Sequence, residues 1–350
     1  MEERKGVLLI NLGTPEAPTK KAVRQYLREF LSDPLVIDIP ALWRFILLNG
    51  VILPFRPRKA ARAYQKIWTE RGSPLLLNLQ DLAHSLRKYL GPEYQVAFAM
   101  RYGEPSIGAA VRELKDANCQ DWVIAPLYPQ YAKSTTESSW QVVNKEVSNA
   151  FSGIKEPSLH DLKPFYQDKH YITALSEVTA QALEGASVDH VLMSYHGLPE
   201  RHLSAPVCSA PCNKKSDACP AVGQSNKNCY RAHCYATSKA LAQELGLGDK
   251  DYTVSFQSRL GRTPWIGPDT EAVIQELYAQ GVRRLAVVMP AFVADCLETL
   301  EEVGIRLRQQ WLLMGETQFV LIPCLNAHPS WVKSFGHMIK ESYYEICERD

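Results

Sequence analysis

The sequence has no long hydrophobic run. Its longest apolar segment, Phe45 to Phe55, is eleven residues interrupted by Asn49 and Gly50, against the roughly 20 that a membrane-spanning helix needs. It also lacks net charge, with 39 Lys and Arg against 38 Asp and Glu for a formal +1. No global field therefore steers the chain toward nucleic acid or an acidic surface, and anion recognition has to come from locally placed cations. Low-complexity tracts are missing. The start, Met1-Glu2-Glu3-Arg4-Lys5, runs directly into Val7-Leu8-Leu9-Ile10-Asn11-Leu12, far too short an apolar stretch for a signal segment and better read as a buried strand. These absences point to a soluble, cytoplasmic protein without nucleic-acid binding.

What is present in excess is cysteine. Of nine, Cys119, Cys296, Cys324 and Cys347 are scattered and read as buried, inert thiols. Cys208, Cys212, Cys219, Cys229 and Cys234 fall within 27 residues. In a reducing compartment such a cluster is more often a metal site than a disulfide framework. Cys-x2-Cys knuckles, the commonest zinc signature, are absent here. Spacing alone leaves zinc and iron–sulfur open.

Short apolar runs alternate with amphipathic stretches along the whole chain. Strands are expected at Gly6–Leu12, Gln95–Met100, Trp122–Pro126, His190–Tyr195, Thr253–Gln257 and Arg284–Met289, bounded by Gly, Pro or polar residues. Helices are expected at Thr19–Leu31, Leu75–Leu90, Ser106–Lys115, Ile172–Glu184, Ala232–Leu245 and Thr270–Gln280. Strands that read as continuous apolar runs belong to parallel sheets covered on both faces, so the fold class is α/β with right-handed crossovers. A strand ending in a Gly/Pro turn occurs at Leu12-Gly13-Thr14-Pro15 and again at Tyr195-His196-Gly197-Leu198-Pro199. Two Rossmann-like, doubly wound domains with parallel sheets fit both, residues 1–165 and 166–350, with the last helical stretch able to pack back on the first. Functional residues are expected just after strands, where open α/β sheets bind ligands.

Two segments after strands carry chemistry. His196 ends His190-Val-Leu-Met-Ser-Tyr195, and a neutral imidazole is suited to take a proton near neutral pH. Pro290 to Glu302, read as a helix, places Asp295, Glu298 and Glu302 on one face. There they complement a helix N-terminus, or relay protons and guide a hard cation.

Five blocks together, Asn11–Pro15, Tyr128–Thr136, His190–Pro199, Phe256–Trp265 and Ala291–Val303, resemble the ferrochelatase family, in family order and over nearly the whole chain. The resemblance implies a chelatase-like fold with the active-site cleft between the domains. It implies a lyase inserting Fe2+ into protoporphyrin IX to give protohaem, the terminal step of haem biosynthesis. His196 and Glu298 are then the catalytic pair and the contacts of the incoming iron, on opposite sides of the porphyrin plane. Asp295 and Glu302 line a proton or metal path. Leu12, Arg56, Tyr64, Ser73, Arg101, Tyr128, Trp265 and Phe292 match positions lining the pocket, Arg56 and Ser73 as propionate partners, because guanidinium and carboxylate pair bidentately. Residues 39–57 match a mobile lip that would present Leu42, Trp43, Phe45, Ile46 and Leu47 to a membrane or a porphyrin-delivering oxidase. Alternatives are a coproporphyrin or other tetrapyrrole chelatase, and a non-catalytic haem or iron–sulfur sensor.

The stretch 204–234 departs from short bacterial members by about twenty extra residues (Ser204 to Asn228). Some family members hold a [2Fe–2S] cluster on internal cysteines, which implies Cys208, Cys212, Cys219 and Cys229 as ligands here, with Cys234 the replacement. The resemblance also excludes the animal ligand set, because Lys133 stands where those members place a ligand. Lys214, Lys215 and Lys227 would partly offset the cluster's negative charge.

Overall fold

Lys5–Gly13 forms the first strand, β1, and Val7 to Ile10 are wholly shielded from solvent, as a strand covered on both faces must be. The computed structural model describes residues 4–203, 219–259 and 263–347, without the side chains of 344–347. The chain divides into two units: Met1–Leu127 with Lys133–Lys163 and Val332–Asp350, and Tyr128–Ala132 with Pro164–Trp331.

In the first unit β1 pairs in parallel with β2 (Tyr94–Tyr102) on one side and β3 (Asp121–Pro126) on the other, and β4 (Ser158–Asp161) adds to β3, giving the order β2-β1-β3-β4. Its helices begin with α1 (Lys20–Ser32), α2 (Ala41–Ile46), α3 (Leu53–Ile67) and α4 (Pro74–Leu90), followed by α5 (Ile107–Asp116) and α6 (Ser138–Ala150). Their starts are written in the sequence. Thr19 and Ser106 accept from the backbone N–H three residues on, and Pro74 opens α4, where its missing donor costs nothing. One face of the sheet, with Leu8, Ile10, Ala97 and Ile124, is sealed by Val111 and Leu114 of α5 and Val143 and Val147 of α6.

The second unit repeats the topology. It comprises α7 (Lys169–Leu183), β5 (His190–His196), α8 (Tyr230–Glu244), β6 (Tyr252–Gln257), α9 (Thr270–Ala279), β7 (Arg284–Val288), α10 (Arg308–Leu312) and β8 (Gln318–Leu321). The order β6-β5-β7-β8, all parallel, is that of the first sheet. Leu192, Leu285 and Val287 pack with Val273 and Ile274 of α9 and the buried Trp311 of α10. The last helix, α11 (Pro329–Cys347), contributes Tyr343 to the first unit, where its hydroxyl donates to the Gly6 carbonyl and accepts from Val123 N.

The six expected strands and six expected helices are all present, displaced by at most three residues at an end. Not anticipated were the edge strands β4 and β8, four residues each and partly exposed, too short to show a buried run. Residues 47–52 and 298–307 form π-helical turns, which no hydrophobic period of 3.6 encodes. Among the described residues no helix is long and apolar enough to cross a membrane.

In both sheets the chain leaves the central strand to one side and then crosses to the other. This reversal creates a crevice at the carboxyl ends, between β1 and β3 and between β5 and β7. Gly13 closes the first of these ends. Its φ is +126°, and a Cβ there would lie 1.9 Å from the Tyr102 carbonyl oxygen, so no other residue fits the turn.

Candidate active site

His196 is the last residue of β5 and is half-buried. Its Nδ1 lies 2.6 Å from the Gly197 carbonyl oxygen. A carbonyl only accepts, so Nδ1 carries the proton and Nε2 keeps its lone pair. The ring meets Phe292 edge-on, centroids 6.4 Å apart. Gly197 permits this geometry, since a Cβ there would stand 2.7 Å from the Gln257 carbonyl and 3.3 Å from the Trp265 ring. Trp265 is drawn in by a bridge to Pro199.

Glu298 begins the π-helix that follows β7. In a helix with i→i+5 bonds, residues four apart share a side, and Glu302 accordingly feels the charges of both Glu298 and His196. Burial pushes the Glu302 carboxyl above the usual carboxylate range, and Glu298 adds to the rise against the opposing pulls of the Ser258 hydroxyl and His196. Ser258, at the end of β6, donates to Glu302 Oε2 at 2.7 Å from a left-handed backbone with φ of 69°, a conformation uncommon outside glycine and often found at functional sites. Gln257 beside it donates to the Glu298 carbonyl at 3.4 Å.

The α-helix expected from Pro290 does not form. Asn326 Oδ1 takes the Asp295 N–H at 2.8 Å, and its amide donates to Asp295 Oδ2 at 2.7 Å. Thr299 donates to Asp295 Oδ1 at 2.9 Å, so this buried carboxylate acts as an anchor for the start of the π-helix. Glu302 stays with Glu298, while Asp295 is held apart by Asn326.

Of the expected pocket residues of the first unit, Leu12 and Ser73 lie at the β1 end, Arg101 in β2, and Arg56 and Tyr64 in α3. Leu12 is half-buried in β1, and Ser73, before α4, bonds through its hydroxyl to that of Thr14 at 2.8 Å. Tyr64 is buried in α3 against Trp68, and Arg56 lies exposed on the same helix. Arg101 is engaged otherwise: it donates to Asp33 at 2.6 Å and to Ser138 Oγ at 2.7 Å. In the second unit Tyr128 is half-buried, and the segment beyond it is fixed by buried Gln130, which donates to Thr237 and to the Pro290 carbonyl.

Of the five clustered cysteines, Cys208 and Cys212 lie outside the described residues. Cys219, Cys229 and Cys234 are not in disulfides. Burial pushes the Cys234 thiol far above its usual range, and the charges of Cys229 and Cys219 add to the rise, so the three stand within electrostatic reach of one another. The buried Arg231 donates to Cys219 Sγ at 2.8 Å. Among the described residues no three His, Cys, Asp or Glu side chains are arranged to hold a metal ion.

Sequence reasoning passed over Ser258, Gln257, Tyr230, Arg231 and Asn326. The first two sit inside the Phe256–Trp265 block, which was a sufficient signal. The other three carry none locally.

Two four-stranded parallel sheets of the same strand order, each flanked by helices, define a chelatase-like fold. Solved structures agree on the fold: SirB from Bacillus subtilis with Fe3+ matches at TM-score 0.51 and 13% identity, over 97% of this chain and 95% of that one. Sirohydrochlorin chelatase SirB from Bacillus subtilis subspecies spizizenii in complex with cobalt matches at 0.53 and 9%, with the same coverage. The family profile described as ferrochelatase matches residues 4–343. A ferrochelatase of Coxiella burnetii is 48% identical over 338 residues, 96% of this chain and 93% of that protein. One of Legionella pneumophila is 46% identical over 340 residues, 97% and 100%. The chain belongs to the ferrochelatase family.

Proposed function

We infer that the enzyme inserts Fe2+ into protoporphyrin IX to give protohaem, with His196 as proton acceptor and Glu298 and Glu302 as the opposing acidic pair. The observation that carries this is the Nδ1–H bond of His196 to the Gly197 carbonyl. In the neutral ring it leaves the Nε2 lone pair available, with Glu302 feeling the charges of both His196 and Glu298.

Metallation removes two pyrrole N–H protons and strips water from Fe2+. His196 Nε2 takes a proton from one face. Glu298 receives the cation or the second proton, and Glu302, its carboxyl raised by burial, holds a proton close by and passes it outward. Asp295 fixes the π-helix on which both glutamates stand. Phe292 and Trp265 supply flat walls for a π-system. Arg56 offers a propionate an exposed cation, and Ser73, Tyr64, Leu12, Tyr128 and Arg101 complete the proposed pocket lining, Arg101 through the order it imposes around Asp33.

Cys208, Cys212, Cys219 and Cys229 are the proposed ligands of a [2Fe–2S] cluster. The described residues fit such a group: Cys219 and Cys229 are in no disulfide, both act electrostatically on Cys234, and the Arg231 guanidinium faces Cys219, where it would offset negative charge on a metal-bound sulfur. The cluster cross-links the segment and supplies no electron to an insertion that leaves iron as Fe2+. An anaerobic experiment in one cuvette tests both assignments. Broad visible absorption bleached by dithionite is expected first, followed by collapse of the four-band porphyrin spectrum to that of haem when Fe2+ and protoporphyrin are added. A colourless protein that still makes haem removes the cluster and leaves the activity. A coloured protein that leaves protoporphyrin unchanged removes the substrate assignment.

The lip at 39–57 is the proposed site of peripheral membrane contact. Leu42, Trp43, Phe45 and Phe55 are exposed at 62–76%, and from Ile39 to Thr69 the chain carries six cations and no carboxylate. Apolar anchors beside basic residues suit an anionic interface. The protein is expected to co-float with anionic liposomes, and Trp43→Ser with Phe45→Ser to abolish it; flotation unaffected by the double change removes the lip as the contact.

A further inference from the structure

The first turn of α8 joins the thiol segment to the end of β5. Cys229 caps the helix. The next residue, Tyr230, is 7% exposed and lies with its hydroxyl 2.9 Å from the His196 carbonyl oxygen. That carbonyl can only accept, so the phenol donates to it. The result is a link from the thiol segment, through Cys229 and the phenol that follows it, to the main chain of His196. Arg231, 1% exposed, works in parallel by donating to Cys219 Sγ at 2.8 Å and to the Gly267 carbonyl at 3.3 Å, two residues from Trp265.

We propose that Tyr230 is the positioning residue of His196. This rests on His196 being the proton acceptor. The physical reason lies in strand ends. The His196 carbonyl sits where the β5–β7 pairing has already stopped, at Met193 with Val288, so among the described residues β6 and the phenol brace its main chain. A turn of a few degrees in its peptide plane redirects Nε2, because the ring is bonded to the adjoining Gly197 carbonyl.

The test compares Tyr230→Phe and His196→Ala with the unaltered protein. Porphyrin affinity by fluorescence quenching, kcat and KM for Fe2+ insertion, and hydrogen exchange of the 190–198 peptide are measured on each. Tyr230→Phe is expected to lower kcat about tenfold, to leave KM and porphyrin affinity within twofold, and to speed exchange at the β5 end. Tyr230→Phe with kcat within twofold of the unaltered enzyme overturns the positioning role. An active His196→Ala would instead remove the acceptor on which the inference rests.

Discussion

Replacing His196 with alanine is expected to lower kcat for Fe2+ insertion by about 1,000-fold, within the 10²–10⁴ range that a positioned general base contributes, while protoporphyrin still binds. The size follows from the tautomer. With Nδ1–H committed to Gly197, Nε2 is a base aimed by the fold, and no water in its place has that basicity and fixed direction. Phe292, edge-on to the ring at 6.4 Å, remains as a wall, so binding by fluorescence quenching should change by less than threefold. His196→Ala retaining a tenth or more of the activity would rule out His196 as the principal acceptor and shift that role to the Glu298–Glu302 pair.

Asp33→Ala is expected to destabilise the first unit by about 3–5 kcal/mol, the usual cost of leaving one partner of a buried ion pair uncompensated. Asp33 Oδ2 accepts from Arg101 at 2.6 Å, Tyr102 at 2.8 Å and Ser138 at 2.6 Å. The side chains of Arg101 and Asp33 are 13% and 6% exposed. Removing the carboxylate strands a guanidinium and two hydroxyls, whereas replacing both charges together, Asp33→Leu with Arg101→Met, leaves no charge in need of a partner and should cost markedly less. Urea denaturation of the three proteins reads this directly. A loss below 1 kcal/mol for Asp33→Ala would mean that Arg101 finds other acceptors.

These two residues mark how far the sequence could be read. His196 was legible because a strand pattern ends on it and a Gly-Leu-Pro turn follows. Glu298 and Glu302 were legible as acidic residues after a strand. Their partition from Asp295 was not, because the expected α-helical face assumed a period that the π-turn at 298–307 does not keep. Arg101 was read as a pocket cation, and nothing near it in sequence announces Asp33, 68 residues earlier. Of the clustered thiols, the sequence marked all five as a metal-type group, and nothing in it announces that Tyr230, beside Cys229, meets the His196 carbonyl.

By itself, the sequence determined the α/β class, the two repeated halves, the strand ends that bear function and the family. Each of these is carried by local signals: apolar runs, caps, turn residues and short blocks in order. Tertiary structure decided which carboxyl is raised by burial, which acceptor Arg101 takes and which phenol meets the His196 carbonyl. Those outcomes depend on donors and acceptors that meet across tens of residues, as Ser258 meets Glu302 over 44 and Tyr230 meets His196 over 34. A hydrogen bond's partner is chosen by the packed fold and leaves no period in the chain that encodes it.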